Sequence, residues 1–118
     1  MGHNKQQRMI ATNIATEQFK QIIKFLQNKG WKLIATYDDQ LYDKGIDFDF
    51  YQFRKDSDEI LLAWDNWEEG EIQASKAIIN EIAQQIDISF RFGNPGYLHQ
   101  EDFLDKMHPL LTYYQQTP

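Results

Sequence analysis

FDFYQFRKDSDEILLAW, residues 48–64, decides the fold. Phe48 and Phe50 share one parity, whereas Tyr51 and Phe53 share the other. A strand with that switch is either bulged or buried on both faces. Ile60–Trp64 is a second β-rich apolar run. The link between the two is Lys55-Asp56-Ser57-Asp58, short and polar, which predicts an antiparallel hairpin. So short a connection leaves no room for the crossover helix that a parallel pair requires.

Working outward, Trp31–Tyr37 reads as a strand before the hairpin, and Glu71–Ala74 as a short strand after the turn at Gly70. Thr16 to Gly30 is helical, because Phe19, Ile22, Ile23 and Leu26 fall on one stripe at the i, i+3, i+4, i+7 spacing. Thr16 is the expected N-cap, Glu17 suits the positive helix end, and Gly30 suits the left-handed stop. Ser75 is expected to cap a second helix, Lys76–Gln85, with Ile78, Ile79, Ile82 and Ala83 at helical spacing. Ile86, Ile88, Phe90 and Phe92 then alternate with Asp87, Ser89 and Arg91, which predicts a half-buried strand. Gly93-Asn94-Pro95-Gly96 is a turn by composition. Glu101–Tyr114 carries a helical stripe, with a break expected near His108 because Pro109 cannot continue a helix.

The expected architecture is a single α+β domain over residues 16–118, behind a flexible N-terminal segment at 1–15. Its form is a two-layer sandwich. A mainly antiparallel sheet of four to five strands carries helices on one face, in the order α-β-β-β-(β)-α-β-α.

The chain has 118 residues and no cysteine, which excludes disulfides and cysteine-based zinc sites. Lys5 and Arg8 precede no apolar run of the ~7–15 residues that a secretory signal needs. No stretch approaches the ~18 apolar residues of a membrane span, so a cytoplasmic protein without membrane contact is expected. Charge is unevenly spread. Residues 1–35 hold six basic side chains against one acid, residues 36–75 three against twelve, and residues 76–118 three against five. The acid-rich middle also carries Tyr37, Tyr42, Tyr51, Trp64 and Trp67.

Motifs for chemistry fail on their own requirements. Asp65-Asn66-Trp67-Glu68-Glu69-Gly70 starts like a calcium loop, but Trp67 stands at the third ligand position and Lys76 at the twelfth. No carboxylate pair is singled out by spacing as general acid and base. Gly93–Gly96 lacks the Lys-Ser/Thr of a phosphate loop, and no nucleophile elbow is present. His99 and His108 would lie on opposite sides of a continuous helix, and His108 is expected to bond to Asp105. The strip Lys20, Lys24, Lys29 and Lys32 is small for phosphate binding on so acidic a chain, so no nucleic-acid partner is expected. No cofactor or metal is implied.

What remains is an acidic field beside aromatics. Such a field steers a basic partner, and aromatic side chains dominate interface energies. In size, negative charge and expected aromatic exposure the chain is similar in physical type to small bacterial immunity proteins and nuclease inhibitors, with no motif of either shared. The expected contact set is Asp65, Trp67, Glu68, Glu69 and Glu71, with Trp67 as the exposed anchor. One alternative is a small-ligand binder or enzyme with a pocket between sheet and helices, using His99, Tyr97 and the acids of the 65–71 loop. Another is an oligomerising domain, in which Tyr113-Tyr114 docks on the surface suggested by the odd parity of Phe48–Phe53.

Overall fold

A computed structural model describes residues 8–37, 48–65, 69–99 and 102–114. Six strands form one antiparallel sheet: β1 (Arg8–Ile14), β2 (Lys32–Tyr37), β3 (Phe48–Lys55), β4 (Asp58–Asp65), β5 (Glu69–Ser75) and β6 (Leu111–Tyr113). Their order across the sheet is β1-β5-β4-β3-β2-β6. The helices are α1 (Thr16–Asn28), α2 (Lys76–Gln85) and the short α3 (Phe103–Met107). None of the described helices is long and apolar enough to cross a membrane.

The β3–β4 hairpin forms as its sequence requires. The two strands pair without interruption from Phe48↔Asp65 to Lys55↔Asp58, and Asp56 takes φ +56° in the tight turn. The parity switch reflects burial on both faces. Phe48 and Phe50 enter one core and Phe53 enters the other, and in β4 Leu61 and Ala63 oppose Ile60 and Leu62 in the same way. The odd parity is thereby satisfied within one chain, which removes it as a reason to expect an extra oligomer surface.

α1 and α2 cover one face. Phe19, Ile22 and Leu26 of α1 join Ile79 and Ile82 of α2 over Phe53, Ile60, Leu62 and Ile72. The other face is covered by the C-terminal segment, where Leu98, Phe103, Met107 and Leu111 close over Ala35, Phe48, Phe50, Leu61 and Ala63. Helices therefore lie on both faces, and the sheet has six strands rather than four or five. Both differences come from the chain ends.

Residues 8–14, expected within a flexible N-terminal segment, form the edge strand β1, which pairs with β5 from Arg8↔Ser75 to Ile14↔Gly70. Its alternation is hidden by a bulge at Asn13, where φ is +54° and the register shifts between Ala11 and Ile14. At the other edge, α3 stops at Met107. A 3₁₀ turn at His108–Leu110 follows, and the chain then extends as β6 beside β2. The break at Pro109 is where the residue's missing N–H puts it; the helix does not resume.

Residues 86–91 alternate as expected but make no ladder, and Phe92, expected on the buried face, is 53% exposed. Ile86, Ile88 and Phe90 pack against the helical-face core, and Asp87, Ser89 and Arg91 are exposed. The β1 bulge leaves a single bridge, Thr12↔Arg91, with the Thr12 N–H donating to the Arg91 carbonyl at 2.8 Å. Caps divide likewise. Ser75 Oγ accepts from the Ile78 N–H at 3.3 Å, as a capping serine should. Thr16 is instead the first residue of α1 behind Ala15, and its hydroxyl accepts from the Trp64 indole at 3.2 Å.

Candidate functional site

Strand register separates charge along the sheet. Phe48 faces Asp65, and Asp65 faces Glu69, so these strand ends meet at one end of the sheet. Asp49, Asp65, Glu69 and Glu71 belong to that end. At the opposite end, Lys32 faces Arg54 and Lys55 faces Asp58. Lys55 Nζ also reaches the Lys29 carbonyl there at 3.0 Å, closing the C-terminal end of α1. Asp56, Asp58 and Glu59 accompany these cations.

The five expected contact residues divide. Asp65 and Glu71 are each only 2% exposed. The Glu71 carboxylate accepts the backbone N–H groups of Gly96, Tyr97 at 3.2 Å and Leu98 at 3.0 Å. The Tyr97 hydroxyl donates to Asp65. Successive N–H groups aimed at one carboxylate form a strong, charge-assisted clasp. The Tyr97 ring then packs edge-on to Phe48, with centroids 5.2 Å apart. These two carboxylates hold the C-terminal segment on the sheet and are not part of an exposed face. Glu69 is exposed, at φ +60°. Trp67 and Glu68 lie outside the described residues.

Gly70, next in the chain, admits no side chain: a Cβ there would stand 2.5 Å from Phe19 Cδ1. The missing atom lets the Phe19 ring approach β5 and brings the start of α1 close to the acidic end.

A groove of about 210 Å³ opens between α1 and β3–β4 at this end. Thr16, Phe19, Lys20 and Ile23 form its helix wall, and Asp49, Tyr51 and Trp64 its floor. Asp49 and Trp64 are cross-strand partners, and Tyr51 shares their face. All three floor residues are half-buried. The Trp64–Thr16 bond fixes the indole, while Tyr51 lies 6.1 Å from Phe19 and 6.5 Å from Phe53, ring to ring. Two anchored rings and a carboxylate in one groove suit a cationic side chain: its stem can cover the rings while its head meets Asp49.

The sequence alone counts Tyr51 and Trp64 among the aromatics of the acid-rich middle without bringing them to one groove. The available signal was Asp49, an acid between Phe48 and Phe50 on the parity shared by Tyr51 and Phe53.

The pocket expected between sheet and helices involves other residues. His99 lines a cavity beneath the C-terminal segment, whereas Tyr97, Asp65 and Glu71 are engaged with one another. His108 bonds through Nδ1 to the Tyr113 hydroxyl at 2.6 Å rather than to Asp105. Among the described residues, no group of three or more His, Asp or Glu is arranged to hold a metal ion. Comparison with known proteins finds no matching family model, no matching curated protein and no matching solved structure.

Proposed function

We propose that this chain is a binding module for a basic protein, engaged at the acidic end of the sheet. The observation that carries the reading is the groove in which Asp49, Tyr51 and Trp64 are held side by side. An Arg or Lys of the partner would lie over Trp64 and Tyr51 and meet Asp49, and exposed Glu69 would extend the negative field beyond the groove. The contact set read from sequence is thereby revised. Asp49, Tyr51 and Trp64 replace Asp65 and Glu71, while Trp67, Glu68 and Glu69 remain part of the proposal. The likeness in physical type to immunity proteins and nuclease inhibitors suits such a role. No catalytic step is assigned.

A tetra-arginine peptide, titrated against ¹⁵N-labelled protein, stands in for the basic partner and tests the reading. The Trp64 indole N–H and the amides of Asp49 and Tyr51 should shift saturably, and the response should weaken as salt rises. Asp49→Asn should reduce affinity about fivefold or more, in line with the loss of a partly desolvated charge pair. Shifts scattered over the surface, or an unchanged response in Asp49→Asn, would contradict the assignment.

A further inference from the structure

The cavity beneath the C-terminal segment lies at the other end of the sheet and has a volume of about 240 Å³. Its apolar lining is Leu61 of β4, Leu98, and Phe103 and Leu104 of α3. Its polar lining is Arg8, Glu59, Gln73 and His99.

Arg8, Glu59 and Gln73 are fixed in place. Arg8 donates through one terminal nitrogen to the Glu59 carbonyl at 2.7 Å, and through the other to the Gln73 carbonyl at 3.3 Å and Gln73 Oε1 at 3.2 Å. Gln73 Nε2 in turn donates to the Leu98 carbonyl at 2.9 Å, tying the lid to the floor. These bonds use three of the five N–H donors of a guanidinium. Burial lowers the Arg8 pKa, against the opposing pull of Glu59 and Asp58, yet a guanidinium stays charged. Glu59 is held through Oε2, which accepts from Gln52 at 2.8 Å and Arg54 at 3.1 Å, and none of these bonds uses its Oε1. Among the described residues, a fixed cation with spare donors and a fixed carboxylate with a spare acceptor thus share one small cavity with four apolar side chains.

We propose that this cavity binds a free aliphatic α-amino acid. The carboxylate of the ligand bonds to the remaining donors of Arg8, its ammonium to Glu59 Oε1, and its side chain fills the space between Leu61, Leu98, Phe103 and Leu104. A simple anion would face Glu59, and a simple amine would face Arg8, so neither satisfies both walls. The volume is small for a ligand pocket, which limits the occupant to a single residue.

The probes are L-leucine, 4-methylpentanoate, which lacks the amine, and isoamylamine, which lacks the carboxylate. Each is titrated against ¹⁵N-labelled protein. L-leucine should shift the amides of Leu61, Gln73, Leu98 and Leu104 saturably, and each truncated probe should bind about tenfold more weakly or worse, because it leaves one fixed charge unpaired. Arg8→Gln should abolish the response to L-leucine. Leu104→Trp, which fills the cavity and leaves the polar bonds intact, should abolish it too, and keeps the test decisive if Arg8→Gln disturbs the fold. Equal binding of L-leucine and either truncated probe would overturn the assignment. So would a response that survives Leu104→Trp, or no shift at these four amides.

Discussion

The two faces of the sheet are closed by different physics. On one, α1 and α2 bring continuous apolar stripes, Phe19–Ile22–Leu26 and Ile79–Ile82, and burial of those stripes suffices. On the other, the only α-helix among the described residues is the five-residue α3, too short to present such a stripe. There the covering segment is held by polar clasps, Glu71 on the 96–98 backbone, Asp65 on Tyr97 and Gln73 on Leu98. A segment with little regular structure leaves backbone N–H groups to be satisfied, and buried carboxylates satisfy several at once. That is why acids that look like a surface patch in the sequence end up inside.

The largest expected effects come from the two phenylalanines of β3 that face opposite ways. Phe50→Ala and Phe53→Ala should each cost roughly 3–5 kcal/mol by chemical denaturation. If the faces differ as described, Phe50→Ala, which loses the ring 5.7 Å from Phe103, should loosen α3 first. Phe53→Ala should instead loosen α1. Identical patterns of exposed amides in the two variants would break the comparison.

Glu71→Gln sharpens it, because shape is nearly retained while charge is lost. An amide side chain keeps one acceptor and turns two hydrogens toward backbone donors, so the expected cost is roughly 2–3 kcal/mol. Denaturation within about 0.5 kcal/mol of the parent would deny Glu71 its structural role. On the helical face, Gly70→Ala forces Phe19 to move and should cost about 1–3 kcal/mol, read from the same denaturation curves. The smallest effect belongs to Asp49→Asn, a half-buried acid assigned to recognition. Its stability should stay within about 0.5 kcal/mol of the parent while binding of tetra-arginine falls.

Local chemistry was legible in the sequence. The α1 stripe, the β3–β4 hairpin with its polar turn and the Ser75 cap each depend on residues a few positions apart. Two-faced burial of β3 was legible as one of two readings of its parity. The edge strands were not, because β1 carries a bulge at Asn13 and the three-residue β6 begins just after the Pro109 turn. The strand expected at 86–92 failed for a related reason: its inside–outside alternation holds only as far as Arg91, with Phe92 exposed, and a ladder needs a regular neighbour where β1 is irregular. At the candidate site, no local pattern separates Glu71 from Glu69. The difference lies in backbone donors at 96–98, about 25 residues away.

Native-state hydrogen exchange on Glu71→Gln tests this division most directly. Protection of the Tyr97 and Leu98 amides should fall at least tenfold, the equivalent of about 1.4 kcal/mol, beyond the loss of global stability that Ile22 and Leu26 in α1 report. A uniform loss across both faces, or unchanged protection at Tyr97 and Leu98, would contradict it.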